Sequence, residues 1–123
     1  KPCALYHFKE EPEGMVRDYC YVADVVRANI ISLTKGSRNA YNIGTGIPTH
    51  TLFLFNIIYD AVKTRLNISD ALKDPLKGPA RPGDLKRSCL NIDKANAGLN
   101  WTPSVSLKQG IALTLDWRLN RLD

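Results

Sequence analysis

The chain has 123 residues, of which 44% are hydrophobic and 24% charged, with a formal net charge of +5, dimensions that suit one globular domain with a modest core. No apolar run approaches bilayer-spanning length, the amino terminus lacks the charged, apolar and small-residue succession of a leader peptide, and Cys3, Cys20 and Cys89 are too few and too scattered for a disulfide framework or a zinc site. These features predict a cytoplasmic domain spanning residues 1–123, with reduced, partly buried thiols and a preference for anionic partners.

Lys1 to Phe8 are apolar enough to pack, but Glu10, Glu11, Pro12, Glu13 and Gly14 break any period, so residues 1–15 are atypical. Val16 to Val22, rich in aromatic and β-branched residues, reads as a strand. Asp24 is placed to cap a helix from Val25 to about Thr34, with an inward stripe of Val26, Ile30 and Leu33 and a left-handed stop at Gly36. Ala40 to Ile43 is a second strand candidate, and Thr45-Gly46-Ile47-Pro48 turns the chain. A helix then starts at Thr49 or Thr51 and runs to about Leu66, burying Leu54, Ile57, Ile58, Ala61 and Val62. Phe53 and Phe55 widen that face and predict cover on more than one side.

Residues Asn67 to Asp84 carry three prolines and two glycines and read mostly as loop. Cys89 to Ile92 reads as a short strand, and Asp93 as the cap of a brief helix ending at Gly98. Ser106-Leu107-Lys108-Gln109 has the spacing of a capping box. It opens a helix whose stripe is Leu107, Ile111, Leu115, Leu119 and Leu122. Strands alternating with helices indicate an α/β domain with a small, partly parallel sheet.

Several motifs bear on chemistry. Arg81-Pro82-Gly83-Asp84 sets a forked cation and a carboxylate three residues apart on a turn stiffened by proline and opened by glycine. Guanidinium grips phosphate oxygens through paired hydrogen bonds, and a carboxylate accepts from sugar hydroxyls. Lys73, Lys77, Lys86 and Arg87 surround it with positive charge, although a solvated basic loop needs no function. Arg17-Asp18 admits two readings that charge alone leaves open: a structural ion pair at a strand end, or an arginine aimed into a cleft. Gly44-Thr45-Gly46 follows a strand and precedes a helix, but the third glycine of the dinucleotide fingerprint is missing, since position 49 is Thr, and Pro48 removes an amide. A tight turn is the better account. Tyr59 and Lys63 match Tyr-x-x-x-Lys at helical spacing, but no cofactor site precedes them, so coincidence is preferred. His7 and His50 have no acidic or nucleophilic companion nearby in sequence, and no metal-ligand spacing occurs.

Val16-Arg17-Asp18-Tyr19-Cys20-Tyr21-Val22-Ala23-Asp24-Val25-Val26-Arg27-Ala28-Asn29, then Tyr41-Asn42-Ile43-Gly44-Thr45-Gly46 and Arg81-Pro82-Gly83-Asp84, stand in an order and register that continue through Asp93-Lys94-Ala95, Leu99-Asn100-Trp101-Thr102-Pro103, Ser106-Leu107, Gly110-Ile111 and Trp117. Together they resemble the C-terminal part of the extended short-chain dehydrogenase/reductases, in the branch of NAD-dependent nucleotide-sugar epimerases and dehydratases. Lys1-Pro2-Cys3-Ala4-Leu5 is similar to the start of the substrate lobe in the UDP-glucuronate 4-epimerase branch. The resemblance implies an α/β lobe with a small, partly parallel sheet and about four helices. By position it gives Arg17 and Arg81 to the nucleotide diphosphate and Asp84 to the ribose hydroxyls. The family's catalytic tyrosine and lysine and its glycine-rich NAD loop lie in an N-terminal half that these residues do not match. No catalytic, cofactor-binding or metal-binding residue is therefore assigned here, and NAD is expected only in a complete enzyme.

The expected function is the UDP-sugar-binding lobe of an epimerase or dehydratase, inactive by itself, with weak affinity for a UDP-sugar or another nucleotide diphosphate. A separate NAD-domain chain and a homodimer are the expected protein partners, and no membrane is implicated. A non-catalytic interaction or pseudoenzyme module is the main alternative. A basic nucleic-acid-binding domain is disfavoured, because the aromatics are not interleaved with the basic run. One departure stands out: between Phe8 and Arg17 the family has a longer stretch that finishes a helix and adds a strand, so the sheet is expected to be one strand poorer or paired differently.

Overall fold

A computed structural model of the chain describes residues 2–121; Lys1 and Leu122 lie outside them. Among the described residues nine elements follow one another: β1 (Ala4–His7), β2 (Val16–Arg17), α1 (Val22–Ser32), β3 (Thr49–His50), α2 (Thr51–Leu66), a 3₁₀ turn (Asp70–Leu72), β4 (Leu76–Pro79), α3 (Asp93–Leu99) and α4 (Leu107–Leu119). The fold is α/β with four helices and pairing that is part parallel and part antiparallel, as expected. β1 runs parallel to β4, from Ala4 opposite Leu76 to His7 opposite Pro79. β2 runs antiparallel to β3, and a parallel bridge joins Val16 to Arg87 on its other side. None of these helices is long and apolar enough to cross a membrane.

The two long helices after β2 follow local rules closely. α2 runs from Thr51 to Leu66 and is capped by Asn67, whose left-handed backbone (φ 47°) closes the last turn onto the Lys63 carbonyl. α4 opens with the full capping box: Ser106 Oγ accepts from the Gln109 amide while the Gln109 side chain accepts from the Ser106 amide. Leu107, Ile111, Leu115 and Leu119 all lie on its half-buried face.

Other expectations are corrected. The strand placed at Val16–Val22 keeps only its first two residues, because α1 starts at Val22. Asp24 is therefore not a cap but a buried residue of the first turn, and Tyr21 takes the cap position without a side-chain bond. The stripe of α1 points the wrong way: Val26, Ile30 and Leu33 are 49%, 61% and 83% exposed, while Ala28 is buried. Ala28 faces inward because its small side chain lets α1 approach Ala95, Leu99 and Trp101, the centre of the core, with Cys20, Ile31, Tyr41 and Ile43 around them. Phe53 is exposed, so α2 is not covered on that side.

Residues 40–43 and 89–92, read as strands, form no ladder, and Ile92 is not extended (φ −106°, ψ 3°). Only the bond from Asn42 Nδ2 to the Asn91 carbonyl, 3.2 Å, links these two stretches directly. β4 arises inside the segment read as loop, because its partner β1 lies about seventy residues away and leaves no local trace. Asp93 starts α3 rather than capping it, and Asn91 Oδ1 accepts from its amide. Gly98 near the end of α3 is required by contact: a Cβ there would sit 2.7 Å from the Tyr41 ring. The thiols are free, but Cys3 and Cys89 are exposed and only Cys20 is partly buried.

Candidate functional site

The Arg81–Asp84 segment forms a tight turn, closed by the Asp84 amide donating to the Arg81 carbonyl at 3.0 Å. Pro82 presets the first corner, and Gly83 takes φ +86°, a left-handed conformation that a side chain would strain. Asp84 Oδ2 accepts from the Arg81 amide at 2.8 Å, with Arg81 Nε at 3.5 Å. One carboxylate oxygen thus stabilises the turn. The Arg81 guanidinium also lies 4.9 Å from the Tyr6 ring centroid, a cation–π contact that steadies the side chain. The side chain of Arg81 is 68% exposed and that of Asp84 only 16%: an open cation beside a sheltered acid.

From Asp84 the chain runs through Leu85 and Lys86 into the strand pairing. The Val16 amide donates to the Lys86 carbonyl and the Ser88 amide to the Val16 carbonyl, each at 3.0 Å. Arg17 belongs to β2, between β3 and this segment. Its Nη1 donates to the Val16 carbonyl at 2.7 Å, and its Nη2 lies 3.4 Å from Met15 Sδ. The structure thus joins Arg81 to Asp84 directly and sets the segment that follows them, bridged to Val16 through Arg87, beside the strand of Arg17. Among the described residues no hydrogen bond or ion pair links Arg17 to either.

The ion-pair reading of Arg17-Asp18 is excluded. Asp18 turns the other way and accepts from the amides of Thr45 (2.8 Å), Gly46 (2.9 Å) and Leu90 (3.4 Å), and from the Thr45 hydroxyl. Burial works against the charged form, but these hydrogen bonds prevail and hold its pKa below the usual aspartate value. The same contacts bear on a dinucleotide. The amides of Thr45 and Gly46 that would cradle a pyrophosphate are already donated to a carboxylate, so the residues here do not fit NAD, and Gly44-Thr45-Gly46 is a pinned turn.

Asp24 plays a similar part deeper in the molecule. Its carboxylate accepts from the Ser104 amide and hydroxyl, the Val105 amide and Arg27 Nη2, all within 3.1 Å. Its carbonyl accepts from Trp101 Nε1 at 3.0 Å. Burial opposes ionisation, but the bonds from Ser104, Arg27 and Val105 outweigh it and bring the pKa down to about 2. This cluster ties α1 to the turn before α4.

Tyr59 donates to Asp70 at 2.9 Å, and Lys63 pairs with the same oxygen. Burial and the bond to Asp70 raise the Tyr59 pKa, the opposite of what a tyrosine base needs. The Tyr-x-x-x-Lys match is a structural cluster. His50, without acidic neighbours in sequence, gains them in space: Glu11 at 4.0 Å and Glu13 at 3.8 Å. Lys86 pairs with Glu10 at 2.8 Å and Arg87 with Glu11 at 3.0 Å. Local sequence held no signal for the Lys86 and Arg87 pairs, whose partners are 76 residues away.

The family model described as GDP-mannose 4,6 dehydratase matches residues 13–114. A UDP-glucose 4-epimerase of Mycolicibacterium smegmatis is 38% identical over 106 residues, which cover 85% of this chain and 32% of that protein. The crystal structure of UDP-glucose 4-epimerase from Thermotoga maritima with UDP-glucose superposes with a TM-score of 0.84 at 35% identity, covering all of this chain and 36% of the other. That of the Thermus thermophilus UDP-glucose 4-epimerase complex with NAD gives 0.71 at 38% identity, covering 94% and 34%. The chain spans about a third of the length of the curated relatives it matches.

Proposed function

Because the chain belongs to the GDP-mannose 4,6-dehydratase family, among the nucleotide-sugar epimerases and dehydratases of the extended short-chain dehydrogenase/reductases, we propose that it is a UDP-sugar-binding lobe without epimerase activity of its own. The observation that carries this reading is the Arg81–Asp84 turn: an exposed guanidinium beside a sheltered carboxylate, leading into the segment that is bridged to Val16, next to Arg17. Arg81 and Arg17 take the diphosphate, with paired N–H donors to its oxygens. Asp84, with one oxygen spent on the turn, offers the other to the ribose hydroxyls. UDP-sugars are preferred because the relatives at 35–38% identity are UDP-glucose 4-epimerases. Binding of the nucleotide, remote from the reacting carbon, positions the sugar for chemistry elsewhere. The setting is cytoplasmic, consistent with three free thiols.

Titration calorimetry with UDP and UDP-glucose tests this. Wild type binds weakly, and Arg81→Ala and Arg17→Ala each lower affinity at least tenfold, the scale of a lost charge-assisted bond of about 1.5–3 kcal/mol. Equal binding by wild type and Arg81→Ala removes the phosphate clamp.

The exposed stripe of Val22, Val26, Ile30 and Leu33 on α1 favours a second reading, an interaction module. Its partners are a chain carrying an NAD-binding half, or a second copy of this one. A concentration-independent monomer in sedimentation velocity would oppose the homodimer.

A further inference from the structure

The guanidinium of Arg81 is held on two sides although its side chain is mostly exposed. Asp84 Oδ2 lies 3.5 Å from its Nε, and the Tyr6 ring meets it face on, with Cζ 4.9 Å from the ring centroid. Neither terminal nitrogen has a protein acceptor among the described residues. Tyr6 belongs to β1, in the stretch read from sequence as atypical, and it reaches Arg81 through the parallel pairing of β1 with β4. In that register Tyr6 stands opposite Gly78. A Cβ at Gly78 would sit 3.4 Å from the Tyr6 ring, so the ring lies along β4 and is only part exposed. The ladder then runs up to the turn itself: the Ala80 amide donates to the His7 carbonyl at 2.9 Å, which fixes the backbone one residue before Arg81. β1 therefore holds both the main chain entering the turn and the side chain of its cation.

We propose that Tyr6 is a positioning residue for anion binding at Arg81: its ring holds the guanidinium plane in place while the two terminal nitrogens remain free to pair with phosphate oxygens. This rests on the nucleotide-diphosphate reading and adds the group that orients its cation. An unrestrained arginine side chain loses rotamer freedom when it closes on an anion, and that loss weakens binding. A side chain already ordered in the free protein avoids part of it. The ring can do this without competing with the ligand, because a guanidinium stacks through its face and donates hydrogen bonds from its edge. Asp84 acts on the same cation from the edge, through Nε, so ring and carboxylate restrain it in different directions. Tyr6 is thereby tied to Arg81 by contact and by register, although 75 positions separate them in the chain.

The test is calorimetry of the full chain with UDP and with inorganic pyrophosphate, on wild type, two ring-free variants (Tyr6→Val and Tyr6→Leu), two that keep a ring (Tyr6→Phe and Tyr6→Trp), Arg81→Ala and Tyr6→Val/Arg81→Ala. Valine keeps the strand preference of β1, and far-ultraviolet circular dichroism checks that each variant folds. The ring-free variants are expected to bind about two- to fivefold more weakly than wild type, the scale of an exposed cation–π contact. Tyr6→Phe and Tyr6→Trp should stay within about twofold of wild type, since each still presents an aromatic face. The double variant should bind no more weakly than Arg81→Ala, which assigns the effect of the ring to that arginine. Two results overturn the proposal while leaving the nucleotide reading in place. In one, the ring-free variants bind as wild type does while Arg81→Ala still weakens UDP. In the other, Tyr6→Phe loses as much affinity as Tyr6→Val. Absence of UDP and pyrophosphate binding by every protein, wild type included, overturns both.

Discussion

Asp24→Asn is the most demanding perturbation of this fold, because it keeps the shape of the side chain and removes only its charge and one acceptor. In the wild type both carboxylate oxygens receive N–H or O–H donors: Arg27 and the Ser104 hydroxyl on Oδ1, and the Val105 amide on Oδ2, with the Ser104 amide between them. Whichever way an asparagine amide turns, its NH₂ faces donors and leaves one of them unpaired in a site 1% exposed. The expected loss is about 3 kcal/mol at neutral pH, since breaking a buried charged network strands its partners. The acid limb gives a second, independent magnitude. Folding lowers the Asp24 pKa from 3.8 to about 2. The wild type therefore carries on the order of 2 kcal/mol of stability above pH 4, which disappears as pH falls from about 4 to about 2. Asn has nothing to titrate, so the variant should show a flatter acid limb. Urea titrations followed by the fluorescence of Trp101 and Trp117, at pH 7 and in steps down to pH 2.5, measure both. An Asp24→Asn protein within 0.5 kcal/mol of wild type at pH 7, with an unchanged acid limb, would refute the role given to this carboxylate.

Three smaller perturbations probe other levels of the structure. Gly98→Ala puts a Cβ 2.7 Å from the Tyr41 ring and should cost about 1–3 kcal/mol as overpacking; an unchanged urea midpoint would mean that Tyr41 swings aside. Ser106→Ala removes the hydroxyl half of the α4 capping box and is expected to destabilise by about 1 kcal/mol, read as a drop in Tm with no change in UDP affinity. Ile30→Lys on the outer face of α1 should leave stability within about 0.5 kcal/mol of wild type and weaken self-association in sedimentation velocity. A large loss of stability instead would show that this face is packed.

The parts of the fold legible in sequence are those whose physics closes within a few residues. The Ser106–Gln109 box, the span of α2 and the proline–glycine turn before Asp84 all rest on contacts three or four positions apart, whereas the left-handed stop expected at Gly36 is not the end of α1, which closes at Ser32 with a right-handed Leu33. The candidate site was half legible for the same reason: Arg81 and Asp84 face each other across one turn, whereas Arg17 comes beside the segment that follows them only through the Val16–Arg87 bridge.

By itself, then, the sequence determined the α/β class, the capping box of α4, the span of α2 and the family, through periodicity and motifs that survive without knowledge of distant neighbours. Tertiary structure decided which face of α1 turns inward, where Asp18 and Asp24 spend their charges, and that Leu76–Pro79 is a strand. Those outcomes depend on partners 27 to 81 residues away. A buried carboxylate goes to whichever donors the packed chain brings within reach, and a strand exists only where a neighbour completes its hydrogen bonds.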